Sequence, residues 1–160
     1  MLSGRLVPTS RPFRYYEKRT RRMNHFHIIA NCSEEQTSEL AALVLQHYST
    51  SQVRLLSGPR QGLVMLRVRE TVANSQFNVG EILVTEVKLE LDGEFGFGMI
   101  LGDSPRRALA MALVDAALRK GGTIAAQLTY RLNELDQQLT HNNLRLQVLV
   151  ATTKVDFERM

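Results

Sequence analysis

The sequence predicts an α+β fold: a mainly antiparallel sheet of about four to five strands packed against three helices in a single domain. Three observations carry that expectation. Two runs with period-two alternation flank Asp92-Gly93, as antiparallel strands around a tight turn require. Directly after them, Gly102-Asp103-Ser104-Pro105 opens a stretch rich in Ala and Leu and closed by Gly121-Gly122, the grammar of a helix. Finally, Ile124, Leu128, Leu132, Leu135 and Leu139 recur at helical spacing and give a second, amphipathic helix. A chain of 160 residues that is 44% hydrophobic needs no second domain to bury a core of this kind.

At the start of the chain, residues 1–30 carry seven Lys or Arg and one acid, whereas residues 31–160 carry thirteen against fifteen. The basic balance therefore comes from an arm, residues 1–24, which precedes the domain of residues 25–160 or is an upstream extension of a reading frame starting at Met23. Its arginines are interleaved with Phe13, Tyr15 and Tyr16, so a nucleic-acid-binding module acting through this arm is the alternative function. The arm has no apolar centre and is no secretory signal. No apolar run reaches the length of a membrane span, and the single Cys32 cannot form an internal disulfide, so a soluble, reducing, cytoplasmic setting is expected. His25 and His27 stand at alternate positions, yet no Cys, Asp or Glu cluster beside them completes a metal site.

Ser33 followed by Gln36 makes a capping box, and Leu40, Leu43, Val44 and His47 continue the stripe of a helix from Glu34 to His47. Gln52 to Leu56 and Leu63 to Arg69 then read as two short strands joined through Gly58-Pro59-Arg60-Gln61-Gly62.

In the central pair, Leu83, Thr85, Val87, Leu89 and Leu91 alternate with Glu86, Lys88 and Glu90. Phe95, Phe97, Met99 and Leu101 lie opposite Gly96, Gly98 and Ile100. Aligning the two large apolar faces selects a three-residue loop, Leu91-Asp92-Gly93, with Leu89 against Phe95 and Val87 against Phe97. Burial of the four large side chains would then contribute roughly 6 to 12 kcal/mol gross. The bare glycine face suits close approach by an Ala-rich helix, or by another backbone or a ligand.

In the following helix Ser104 is the expected N-cap, with Asp103 the alternative, and Arg119 and Lys120 sit near its C-terminus. Ser104, Arg106 and Arg107 form a weak candidate anion site at its start. Asp115 falls on a face with Ala108, Met111 and Ala112, where a carboxylate needs a partner: a hydrogen bond to a neighbouring strand, or a functional contact. The last helix is expected to end near Asn142-Asn143. Beyond it Leu144, Leu146, Val148 and Val150 alternate, residues 144–153 fit either strand or buried helix, and a strand is favoured only from Val155 to Phe157.

No Ser, His and acid stand at triad-like spacing, no paired Cys motif exists, and no Walker or dinucleotide fingerprint appears. The order Gly62-Leu63-Val64, Arg69, Gly80-Glu81, Thr85, Asp92-Gly93, Gly96, Gly102, Asp115-Ala116 and Thr153-Lys154-Val155-Asp156-Phe157 instead resembles the G subunit of the bacterial carbon-phosphorus lyase core complex.

That resemblance implies phosphonate catabolism in the cytoplasm within a hetro-oligomer containing the H, I and J subunits, with L as a further partner. The G, H, I and L proteins together exchange the adenine of ATP for a phosphonate, giving ribose 1-phosphonate 5-triphosphate. The chemistry is assigned to I, while the iron-sulfur cluster and S-adenosylmethionine belong to J. This chain is expected to bind no cofactor or metal and to supply no catalytic residue. Arg69, Gly80, Glu81, Thr85, Gly96, Gly98, Asp115, Val155, Asp156 and Phe157 are expected to be interface or structural residues, with the glycine face and the C-terminal stretch favoured for contact between subunits. Glu86 stands where the family carries arginine, and a partner's basic residue is expected to meet it.

Overall fold

The computed structural model describes residues 25–70 and 73–152, so the basic arm and the Val155-Asp156-Phe157 stretch lie outside the described residues. Residues 25–31 form helix α1. Glu34–His47 forms α2, and a 3-10 turn at Thr50–Gln52 leads into the sheet. Val53–Arg69 is β1, Gln76–Leu91 is β2 and Glu94–Leu101 is β3. Helices α3, Pro105–Lys120, and α4, Gly122–Thr152, complete the order.

The sheet is antiparallel in the order β1-β2-β3. Helix α3 lies on β2 and β3, and α2 and α4 pack in turn on α3. Every residue from Ala110 to Ala117 is buried, so α3 is enclosed on all sides, in keeping with its Ala-rich composition. Around it Ile29, Val44, Leu89, Ile100, Met111, Val114 and Leu128 form the centre of the core.

The α+β class holds, with three strands rather than four or five and four helices rather than three. The strand count differs because Gly58-Pro59 does not turn the chain. β1 runs through them with register shifts between Leu55 and Ser57 and between Ser57 and Arg60. An edge strand has one row of N–H groups without a ladder partner, so proline and irregular pairing are tolerated there. The α2 helix and its reciprocal Ser33–Gln36 cap are as expected. Helix α4 does not stop at Asn142-Asn143 but continues to Thr152, which resolves residues 144–152 as helix.

The central hairpin corrects the expected register. Asp92 and Gly93, at φ 47° and 86°, form a two-residue loop, and Leu91 pairs with Glu94, Leu89 with Gly96 and Val87 with Gly98. Positive φ at both central residues matches a type I′ turn, whose twist suits a hairpin. The face buried by α3 therefore combines Val87, Leu89 and Leu91 of β2 with Gly96, Gly98 and Ile100 of β3. Phe95, Phe97, Met99 and Leu101 lie on the outer face, where Phe95 and Met99 are each 41% exposed and Leu101 66%. The expected burial of these four side chains is not realised within this chain. Matching the size of the apolar residues was the wrong criterion: the helix needed a shallow surface, and glycine provides it.

Candidate functional site

The site is built around the contact between β3 and α3. Ala108, Ala112 and Ala116 recur every four residues and line one face of α3. Gly96 and Gly98 lie directly on that alanine row. A Cβ on Gly98 would stand 2.0 Å from the Ala108 carbonyl oxygen, and one on Gly96 would stand 2.2 Å from that of Ala112. The glycine face is thus occupied by a helix of the same chain and is unavailable for a neighbouring subunit.

This close approach brings the free edge of β3 within reach of α3 side chains. The Phe97 N–H donates to Asp115 Oδ2 at 3.1 Å, and the Met99 N–H points to Met111 Sδ at 3.4 Å. Two backbone donors that would otherwise template further strand pairing are covered in this way. Asp115 is fully buried and also accepts from Arg119 Nε at 2.8 Å, with His25 Nε2 of α1 lying 3.3 Å from its other oxygen. Burial works to raise the Asp115 carboxyl above its ordinary value. The neighbouring His25, the Phe97 N–H and the Arg119 guanidinium outweigh burial and hold it below.

The carboxylate therefore joins α1, β3 and α3 at one point, and Arg119 extends the contact by lying 5.7 Å from the centre of the Phe95 ring. Its geometry suits holding elements together rather than acting on a substrate. The strand hydrogen bond inferred for Asp115 from sequence is present. Arg119, one helical turn away, was legible as a partner. The His25 contact was not, because ninety residues separate the two and no local pattern links them.

Thr85 is buried too, and its hydroxyl donates to the Gly102 carbonyl at 2.6 Å while accepting from the Ser104 N–H at 3.1 Å. It pins the turn between β3 and α3. Ser104 occupies the N-cap position but its side chain makes no capping hydrogen bond. Nor do the two following arginines converge with it on a common point. Arg107 donates to the carbonyls of Ala30 and Cys32, both at 2.9 Å, clamping the end of α1, and Arg106 lies 3.5 Å from Glu34. The Cys32 thiol is buried beside this clamp, and burial raises it against the opposing pull of Arg107.

The remaining candidates lie where the long β1–β2 pair extends past β3. Gly80, Glu81 and Arg69 are all exposed there, and Arg69 donates to the Asn74 side chain at 3.3 Å. Glu86 is met within the chain by Arg60 of the adjacent strand, whose Nε lies 2.6 Å away; that hydrogen bond is the main cause of its lowered pKa. Arg60 was missed because its stretch was read as a loop. Among the described residues no group of three or more His, Cys, Asp or Glu could hold a metal ion. A cleft between α2 and α4, lined by Glu39, Arg131 and Glu134 together with Leu40, Leu43 and Leu135, does not include Asp115.

Comparison with protein-family models matches residues 20–160 to the family described as "Phosphonate metabolism protein PhnG". The chain belongs to the PhnG family. It is 31% identical over 116 residues to the alpha-D-ribose 1-methylphosphonate 5-triphosphate synthase subunit PhnG of Rhizobium meliloti (strain 1021), covering 68% of this chain and 70% of the relative. A role in phosphonate metabolism follows from PhnG membership, and the relative's name makes it one subunit of a synthase. The PhnG match takes in the Asp115 cluster, the central hairpin and the C-terminal stretch. Among the described residues no helix is long and apolar enough to cross a membrane.

Proposed function

We propose that this chain is a non-catalytic subunit of the synthase that forms ribose 1-phosphonate 5-triphosphate from ATP and a phosphonate, working in the cytoplasm with the H, I and L proteins and bound to H, I and J. The carrying observation is an apolar surface left open. Phe95, Met99 and Leu101 on the outer sheet face, and Leu144, Leu146, Val148, Leu149 and Val150 around the end of α4, are each 41% to 68% exposed. Exposed apolar surface on this scale marks a contact surface. Between Leu144 and Ala151 only Arg145 and Gln147 of α4 are polar, and its exposed Leu and Val side chains are not confined to one stripe facing the chain's own core, as they would be on an ordinary surface helix.

In this reading the buried polar groups give the chain a fixed shape and the open surfaces give it partners. ATP is the substrate of the assembly, and the iron-sulfur cluster and S-adenosylmethionine reside on J. The nucleic-acid alternative depends on an arm outside the described residues, and no described feature favours it.

The test is reconstitution. Purified G, H, I and L proteins are given ATP and methylphosphonate, and adenine release is followed. Release is expected with all four and is expected to vanish when this chain is omitted or supplied alone. Turnover by this chain alone, or undiminished turnover without it, would overturn the reading.

A further inference from the structure

β3 pairs only with Val84–Leu91 of β2, so Leu63–Arg69 and Gln76–Leu83 continue past it as a two-stranded ribbon. Isolated two-stranded ribbons are marginally stable in water, and this one carries exposed large apolar side chains on both faces. On one face Val64, Leu66, Val68, Phe77 and Ile82 are 36% to 50% exposed. On the other, Leu63 is 64% exposed, Met65 54% and Leu83 38%. Summed over both faces, these side chains offer on the order of 700 Å² of open surface, close to the roughly 800 Å² per partner of a stable interface.

Charge says more about the occupant. Near the body of the protein, Arg54 and Arg60 of β1 face Glu90 and Glu86 across the strand pair. At the far end Arg67 and Arg69 have only the neutral side chains of Asn78 and Asn74 as partners among the described residues. Glu81, beside Met65 on the same face, makes no ion pair with either. A second copy of this chain docked through a two-fold contact would cover one face of the ribbon and leave the other in water. An occupant that covers both must enclose it.

We infer that the β1–β2 ribbon beyond β3 inserts into an apolar cleft of a different subunit, with carboxylates of that subunit meeting Arg67 and Arg69. The inference rests on the proposed role as a synthase subunit and names the element that docks. Complementary charge at the end of an apolar insert fixes its register and depth.

The experiment places the photo-crosslinking residue p-benzoylphenylalanine at Phe77 or at Met65, on opposite ribbon faces, with Tyr130 of α4, 65% exposed, as the reference position. Each full-length variant is co-expressed with the H, I, J and L proteins, irradiated and analysed by mass spectrometry. Both ribbon positions are expected to join to the same partner protein. Crosslinks only between copies of this chain, from one face only, or from neither face would overturn the inference even where the complex forms. Failure of the unmodified chain to co-purify with any of the four proteins would sink the proposed function as well. In a second arm, Arg67→Glu combined with Arg69→Glu is expected to weaken co-purification at least about tenfold, since like charges would then face each other. The variant's own thermal unfolding is expected to be unchanged because both residues are exposed. Unaltered co-purification would refute the charge contact.

Discussion

Replacing Gly98 by alanine adds one methyl group where β3 lies hardest against α3. That methyl would stand 2.0 Å from the Ala108 carbonyl oxygen and 2.8 Å from the Ala112 nitrogen, both backbone atoms that cannot rotate away. Either β3 lifts from α3 or the helix shifts, and lifting β3 also draws the Phe97 N–H away from Asp115. Overpacking costs about 1 to 3 kcal/mol, more where the surroundings are rigid; alanine's strand preference over glycine returns only about 0.5 to 1 kcal/mol. The expected net loss is about 2 kcal/mol or more, which for a chain of this length lowers the melting temperature by about 4 to 8 °C or beyond. The control is Gly62→Ala, whose new methyl meets Val84 Cγ2 at 3.9 Å, an ordinary contact, and should leave stability unchanged or slightly raised. Circular dichroism melts and urea unfolding of the two variants beside the parent decide the matter. A Gly98→Ala protein as stable as the parent would show that the strand and helix are not in the described contact.

Asp115→Ala removes the acceptor shared by Phe97, Arg119 and His25 and is expected to cost about 3 to 5 kcal/mol in urea unfolding, whereas Asp115→Asn keeps an oxygen and should cost less. Because the Asp115 carboxyl sits below its ordinary value in the folded state, its contribution is fully present above about pH 4 and is lost as pH falls through the folded value. Asp115→Asn should therefore flatten the acid limb of a stability-versus-pH curve; an unchanged limb would contradict the assignment. Thr85→Val strips the Gly102 carbonyl and the Ser104 N–H of their partner and is expected to cost about 1 to 3 kcal/mol, with Thr85→Ser restoring most of it.

The parts of the fold written in local grammar were legible. The Ser33–Gln36 box fixed the start of α2, and Gly121 ends α3 at φ 82°, as a positive-φ helix stop should. The need of Asp115 for a strand partner followed from its apolar neighbours. What failed was inference that turned on which surface another element would cover. The hairpin register was chosen to bury phenylalanines, but α3 sits on the glycine side. Gly58-Pro59 was read as a turn because nothing local reveals that its strand lies at an edge. The end of the last helix was placed near Asn142-Asn143 and the alternating apolar residues from Leu144 to Val150 stayed open between strand and helix, because no core stripe marks the continuation of α4. His25–Asp115, Arg107–Ala30 and Arg60–Glu86 are long-range contacts with no signature in sequence spacing.

Size-exclusion chromatography with light scattering, run on the full chain alone and then mixed with the purified H, I and J proteins, tests the subunit claim most directly. The account predicts that the chain leaves its own elution position and appears, in fixed ratio, in a species of higher mass with those proteins. A chain that keeps the same position and the mass of a single copy in the mixture would contradict it.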